Sequence, residues 1–459
     1  MIAPFGCLGY NVLMARGRAC VGRRVLALVA TISMVTPSVA QDNILMIIAD
    51  DIGVDRVGVY DAHPSPGRTP NIDLLAAQGV LFRNAWSNPT CSPSRALLLT
   101  GRYGFRTGIG EIIRENSTDD PGLSLAELSL PDLLAPTYTT AALGKWHLGN
   151  SYSQGPSHPL DSGFDYHAGS IHNLRNSQPG GPGPGGVYFD FDKGVNGTIR
   201  RSTTYATTDT VDDAVRAMQS LPEPWFIWLA FNAPHPPFHK PPAHLHTYSL
   251  PAPPSESRVA HMKAMTQAMD TEMGRMLSHV DYSETTIIFL GDNGTASGAT
   301  SAPYDSNHAK STLYQGGVHV PLIIAGSRVT QAGSECPALV SLTDMYATIS
   351  EIAGYGGRAR DGVSVLPYLS DPDMPSIRDF LYAELFAPNG PHPYDSFERA
   401  IRDERYKLID RRLLHEREFY DLLLDPLETN DLFLVGLSPA EAVALNELEH
   451  KLTRLWNTR

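Results

Sequence analysis

A chain of 459 residues with 42% hydrophobic and 19% charged content can bury a large core and is ordinary for a globular protein. Its formal net charge of −13 argues against a nucleic-acid partner. A local basic pocket for an anionic substrate is still compatible with that balance.

The N-terminus reads as an export leader. Arg16, Arg18, Arg23 and Arg24 precede an apolar run over 25–32, and Ser38-Val39-Ala40 resembles a small-residue cleavage site. Residues 1–40 are therefore predicted to be a signal peptide, and the mature protein to be periplasmic or secreted. The run is too short, and too soon followed by Pro37, for a stable membrane span, and no later stretch is a better one. Cys7 and Cys20 fall in the leader. Only Cys91 and Cys336 remain, so no disulfide framework is expected.

The apolar run over 43–49 predicts a strand buried on both faces. It ends in Asp50-Asp51, two carboxylates that repel unless something positive lies between them. A short helix over 74–78 and a strand over 80–85 lead to Cys91-Ser92-Pro93-Ser94-Arg95, where an apolar helix opens. Arg95 lies about one turn beyond Cys91 and shares its face. A thiol at a helix N-terminus beside a guanidinium suits a reactive group or an anion, and a buried structural cysteine is the plainer alternative. A helix over 123–134 and a strand over 138–143 follow. That strand runs into Gly144-Lys145-Trp146-His147-Leu148-Gly149. Lys145 and His147 share a side on extended backbone, although the pair alone also reads as an exposed Lys beside a packed Trp.

The Gly/Pro-rich stretch 178–186 reads as a surface loop. A helix over 211–221 and a strand over 225–231 deliver His235, which prolines hold on a rigid loop. A helix over 260–280 and a strand over 285–290 lead to Gly291-Asp292-Asn293-Gly294, and Lys310 follows. A strand over 320–325 and a helix over 342–353 close this part. The alternation predicts an α/β fold: a large mixed, mostly parallel sheet sandwiched by helices. Ligands in such sheets sit at the carboxyl ends of strands, where Asp50-Asp51, Lys145-His147, His235 and Asp292-Asn293 all fall. Beyond about Leu366 the pattern changes. Strands over 380–385, 399–410 and 418–422 and a helix over 440–456 predict a smaller C-terminal α+β subdomain with an antiparallel sheet. The organisation expected is a leader over 1–40, a catalytic domain over 41–365 and a C-terminal subdomain over 366–459.

Asp50, Asp51, Asp292 and Asn293 offer only oxygen ligands, which selects Ca²⁺ or Mg²⁺ over zinc or copper. Arg95, Lys145 and Lys310 supply fixed positive charge, and His147 and His235 supply proton-transfer groups. A divalent cation among several basic groups describes a pocket for sulfate or phosphate, with Cys91 the candidate nucleophile.

Together these motifs resemble the type I sulfatases, the formylglycine-dependent branch of the alkaline-phosphatase-like superfamily. Cys91-Ser92-Pro93-Ser94-Arg95, continuing to Leu99-Thr100-Gly101-Arg102, matches one family signature, and Gly144 to Gly149 a second. The likeness runs from Asn43 to Ala325 and, more weakly, over Phe419 to Asn430. It implies an alkaline-phosphatase-like fold and hydrolysis of sulfuric esters, on a sulfated carbohydrate or an aryl sulfate. It also implies that a formylglycine-generating (sulfatase-maturating) enzyme oxidises Cys91 to formylglycine, also called 3-oxoalanine, whose hydrate is the nucleophile. By the same resemblance Asp50, Asp51, the converted Cys91, Asp292 and Asn293 hold Ca²⁺, with Mg²⁺ as the alternative. Arg95 and Lys145 steady the formylglycine, His147 takes a proton from its hydrate, and His235 and Lys310 hold the sulfate. Two other functions stay open: a phosphonate or phosphate ester hydrolase of the same superfamily, and a non-catalytic binding protein in which Cys91 stays a thiol. Gln315 stands where many relatives have Glu, and the 172–187 loop matches no family feature.

Overall fold

Apolar runs without polar alternation need cover on both faces, and the sheet supplies it. In a computed structural model, residues 41–458 are described, apart from 116, 119, 151–154, 178–180, 182, 184, 185, 357 and 358. The expected signal peptide lies outside the described residues. Ten strands form the main sheet: β1 (Asn43–Ala49), β2 (Gly79–Trp86), β3 (Thr139–Gly144), β4 (Tyr166–Gly169), β5 (Phe191–Val195), β6 (Thr198–Ser202), β7 (Trp225–Ala230), β8 (Thr285–Gly291), β9 (Leu322–Gly326) and β10 (Ser334–Ser341). Their order is β10-β2-β9-β8-β1-β7-β3-β4-β5-β6.

β1 is central and parallel to both neighbours, with Ile48 opposite Ala230 on β7 and Leu290 on β8. β3 continues the parallel block between β7 and β4. β9 runs against β8 and β2, and β5 against β4 and β6. The carboxyl ends of β1, β2, β3, β7 and β8 therefore open on one edge of the sheet.

Among the described residues, helices of eight or more residues are α1 (Pro70–Ala77), α2 (Cys91–Thr100), α3 (Ala206–Ser220), α4 (Arg258–Leu277), α5 (Thr343–Ile352) and α6 (Pro439–Trp456). Alternate residues of β1 face opposite layers, as period-two geometry requires. Ile44, Met46 and Ile48 pack with Leu98 and Leu99 of α2 and Met345 and Ile349 of α5. Leu45 and Ile47 pack with Leu75 of α1, Val211 of α3 and Met265 and Met269 of α4. The mostly parallel sheet sandwiched by helices is the expected architecture.

Four antiparallel strands make the second sheet: β11 (Leu381–Ala387), β12 (Ser396–Arg402), β13 (Tyr406–Arg411) and β14 (Glu416–Asp421). Ala383, Ala400 and Ile409 pack towards Trp86 and Leu339 of the main sheet. Tyr382, Ile401 and Leu408 lie under Leu448 and Leu452 of α6. Residues 41–459 form one compact unit.

Several local expectations are corrected. The segment 123–134 is helical only over Leu130–Leu134, because Ser129 caps that turn in a box with Asp132 and the Leu123 N–H is committed to Leu148. The run 399–410 is two strands, turned at Asp403, whose side chain accepts the N–H groups of Arg405 and Tyr406. Short strands β4, β5 and β6 and the bulged β10 carried no clear apolar run, since exposed β6 pairs on a sheet edge and β10 is interrupted at Pro337. Among the described residues Cys91 and Cys336 are buried free thiols, and no helix is long and apolar enough to cross a membrane.

Glu384 on β11 ties the small sheet to the main body and gives it a pH signature. Its fully buried carboxyl accepts the Phe105 N–H (2.8 Å) and the Tyr382 hydroxyl (2.9 Å). Burial raises its pKa to about 7, against the pull of those hydrogen bonds. The folded state thus holds the proton more tightly than the unfolded chain. The associated stability is full below the unfolded pKa of 4.5 and is lost as pH rises through about 7. Glu384→Gln keeps an acceptor for Phe105 and removes the titration. Above pH 7 it should be more stable than the parent by up to about 3 kcal/mol, with little gain near pH 4.5. Denaturant titrations at the two pH values check this, and an equal gain at both would sink it.

Candidate active site

The site forms where five strands end. Ala49 and Gly291 are register partners on β1 and β8, so the residues that follow them meet. The Asp51 N–H donates to Asp292 Oδ1 (3.2 Å), and Asn293 Nδ2 donates to Asp51 Oδ1 (2.9 Å). Asp51 takes φ of 67°, a left-handed conformation that costs a non-glycine residue about 1 kcal/mol or more. His147 and Ser311 share that strain, with φ of 61° and 72°.

β2 leads through a four-residue loop to α2, which begins at Cys91. The buried thiol sits 3.3 Å from Asp50 Oδ1 and 4.0 Å from Asp51 Oδ1. Arg95 lies on the same helix and is fully buried. Its Nε and Nη2 donate to Asp292 Oδ2 (3.0 and 2.8 Å), and its Nη1 donates to the Lys145 carbonyl (2.7 Å). Arg95 therefore clamps α2 to the ends of β8 and β3, and its Nη2 is 4.0 Å from Asp50.

Gly144 makes the end of β3 possible. A Cβ there would sit 1.9 Å from the Ala230 carbonyl oxygen. The turn directs Lys145 Nζ to 2.5 Å from Asp50 Oδ2 and 3.5 Å from Cys91 Sγ. His147 is buried near His172, with ring centroids 6.1 Å apart, and its Nδ1 has no hydrogen-bond partner among the described residues. His235 follows β7, with Nδ1 2.5 Å from the Pro236 carbonyl. Lys310 pairs with Asp51 and lies 3.5 Å from Cys91 Sγ, while the neighbouring Ser311 N–H binds the Pro89 carbonyl (2.9 Å). All ten residues proposed from the sequence thus converge on one edge of the sheet.

Sequence reasoning missed two supports. Buried Tyr188 places its hydroxyl 2.5 Å from the Asn232 carbonyl and 2.7 Å from that of His235, fixing the histidine loop. Nothing in a Gly/Pro-rich neighbourhood announces that anchor. Gln315, singled out in the sequence only as standing where many relatives have Glu, is the other, its bracing contacts unread: its N–H donates to Glu428, and its Oε1 accepts the Trp86 indole (2.8 Å). Lys407 Nζ lies 2.5 Å from Glu428 Oε1 and 4.9 Å from the Trp86 ring centroid.

Burial opposes charge throughout the site, and neighbours decide who keeps it. Burial raises Asp50, but Lys145, His235, Arg95 and Lys310 outweigh it and hold Asp50 well below the carboxylate range. Asp292 is pushed up, first by burial and then by Asp50, against Arg95 and Lys145. Burial and then Lys145 lower His147 well below its ordinary value and His235 to about 4. Lys310 is raised by Asp51 and Asp50 despite its burial. Burial, then Asp50, pushes the Cys91 thiol up. A thiol so placed is a poor nucleophile in its own right.

The donor set fits a hard divalent cation. Asp51 Oδ2 and Asn293 Oδ1 are buried oxygens without a partner among the described residues, a costly state unless a ligand satisfies them. Asp50, Asp51, Cys91 and His235 have ligand atoms within 4.8 Å of one another. Three carboxylates face three fixed cations, Arg95, Lys145 and Lys310. A divalent ion would turn that balance positive and favour an anionic substrate. Asp51, His235 and Lys310 line an adjoining cleft of about 520 Å³, walled in part by Pro236, Pro237 and Phe238.

The comparisons agree with this geometry. The Sulfatase family model matches residues 42–355, and that of the N-sulphoglucosamine sulphohydrolase C-terminal region matches 306–458. N-acetylgalactosamine-6-sulfatase of Canis lupus familiaris is 30% identical over 403 residues, covering 80% of this chain and 74% of the relative. Steryl-sulfatase of Homo sapiens is 26% identical, covering 75% and 72%. The crystal structure of Ps i-CgsB in complex with k-i-k-neocarrahexaose superposes with a TM-score of 0.72 at 25% identity, over 90% of this chain and 92% of that one. The chain belongs to the sulfatase family, with its alkaline-phosphatase-like fold, and is a sulfuric ester hydrolase.

Proposed function

We propose that this protein is an exported enzyme that hydrolyses a sulfate ester of a saccharide through formylglycine made from Cys91. The observation that carries this reading is the crowding of Cys91 Sγ, 3.3 Å from Asp50 and 3.5 Å from both Lys145 and Lys310. A protonated thiol has little use there, whereas an oxygen nucleophile facing a sulfate does. Conversion needs an oxidising maturation enzyme that acts on the cysteine. The aldehyde hydrate at position 91 then supplies one hydroxyl that displaces the alcohol from sulfur and a second whose deprotonation releases sulfate and regenerates the aldehyde. One water is consumed per ester.

Each neighbouring residue takes a part that suits its charge. His147 is neutral, with a free ring nitrogen, and takes the proton of the second hydroxyl. Lys310 stays protonated and donates to the bridging oxygen as it leaves. His235, also neutral at pH 7, hydrogen-bonds the sulfate. Lys145 and Arg95 hold the position-91 oxygens and Asp292 in place. Asp50, Asp51, Asp292 and Asn293 would hold Ca²⁺ or Mg²⁺, which supplies charge stabilisation at the sulfate oxygens. Residues 41–365 carry this chemistry, and 366–459 brace it through Glu384 and Glu428. The basic, apolar leader supports export to a periplasm or beyond.

Matured protein assayed with paired aryl sulfate and aryl phosphate esters tests the substrate class. Sulfate turnover should exceed phosphate turnover, and the reverse preference would favour a phosphate or phosphonate ester hydrolase. Peptide mass spectrometry should find aldehyde at residue 91, and an intact thiol in active protein would refute the mechanism. Chelation should abolish turnover and lower the melting temperature, because an ion bound to the native state stabilises it. Added Ca²⁺ or Mg²⁺ should restore both. Unchanged activity and melting after exhaustive chelation would remove the metal from the proposal.

A further inference from the structure

The active-site cleft does not end at Lys310. It shares Ser255, Arg258 and Gly298 with a second cleft of about 690 Å³, lined also by Tyr248, Glu256 and Lys263. The sulfate chemistry accounts for one end of this groove and leaves the other unused.

Arg258 stands at the junction as the first residue of α4. It is exposed, and its side chain has no hydrogen bond or ion pair among the described residues. Its stem and head lie along Gly298: a Cβ there would be 3.3 Å from Arg258 Nη1 and 3.7 Å from its Cδ. Glycine at 298 therefore leaves the guanidinium room over the groove floor. Lys263 lines the second cleft, half-buried, with Nζ 2.7 Å from Ser65 Oγ. Arg68 adds a third cation, its Cζ 5.2 Å from the ring centroid of Tyr248. Among the described residues Glu256 is the one carboxylate lining this second cleft. A surface arginine is usually just a solvated charge. An unpaired one at the confluence of two clefts, among further cations in a protein of net charge −13, is placed to meet an anion.

We propose that Arg258, supported by Lys263, forms a second anion subsite. It would recognise a carboxylate or a remote sulfate on the part of the saccharide beyond the scissile sulfate. The substrate is then a saccharide with at least two anionic groups. This deepens the sulfatase reading and rests on it.

Calorimetric binding to the full chain carrying Cys91→Ala, with calcium present, tests the subsite without turnover. One ligand pair is a monosulfated, uronate-containing disaccharide and its carboxyl-reduced counterpart. The other is a disulfated disaccharide and the same sugar without the remote sulfate. In at least one pair the member with the second anion should bind about 10-fold tighter or more, as a charge-assisted bidentate contact requires. Arg258→Ala should bring that ratio to about 1, and Arg258→Lys should keep part of it. The pair that responds distinguishes carboxylate from sulfate. A ratio near 1 in both pairs, or one that survives Arg258→Ala, overturns the proposal. Aryl sulfate turnover by the matured parent is measured alongside. If it is absent while the ratio depends on Arg258, the sulfatase reading fails and the subsite stands.

Discussion

Cys91→Ser is expected to lower kcat by on the order of 10⁴-fold or more while leaving the fold intact. The fold should survive because serine nearly matches cysteine in shape and its hydroxyl can donate to Asp50 where the thiol lies 3.3 Å away. The packing cost should be about 1 kcal/mol or less. Turnover should fail for a chemical reason. A serine hydroxyl can attack sulfur once, but it has no second hydroxyl on the same carbon to expel the sulfate. Release would then need water to reach a buried ester. Peptide mass spectrometry of this variant after incubation with substrate should find a sulfate ester on the introduced serine, and melting should match the parent closely. Sustained turnover by Cys91→Ser would end the formylglycine mechanism. A large fall in melting temperature would show instead that the thiol has a packing role.

Asp292→Ala is expected to damage stability and activity together. Asp292 accepts two hydrogen bonds from fully buried Arg95 and one from the Asp51 main chain. Its removal strands a buried guanidinium, at a cost of about 3–5 kcal/mol. By the proposal above it would also take away a cation ligand, and it loosens the turn that aims Asp51. Turnover should fall by about 10³-fold or more. The double variant Arg95→Met/Asp292→Leu separates the effects. It removes both buried charges, so it should regain much of the lost stability and still be inactive. Thermal melts and assays of the three proteins decide this. A single Asp292→Ala variant with parental melting and turnover would show that the pair matters to neither.

The residues of the candidate site are more legible in the sequence than the fold is. Strands such as β1, β7 and β8 are buried on both faces, so their apolar runs are unbroken and the polar residues that end them stand out. Asp50-Asp51, His235 and Asp292-Asn293 were legible for that reason. β5 and β6 were not, because an edge hairpin with exposed positions has no apolar run to read. The contact of Arg95 with Asp292 spans nearly two hundred positions, and no local pattern encodes it. Tyr188 was hidden more deeply, since its value lies in two carbonyls that any sequence would present.

The Gln315–Glu428 contact bears on how such chains can be recombined. Glu428 belongs to the small sheet's side of the molecule, yet it accepts a main-chain N–H five residues beyond Lys310. Trp86 and Lys407 share the same buried knot. A chimera that borrows its last hundred residues from a relative inherits the acceptor without the donor's surroundings. The boundary of a safe graft therefore lies upstream of Lys310 or downstream of Glu428, and positions 315 and 428 have to travel together.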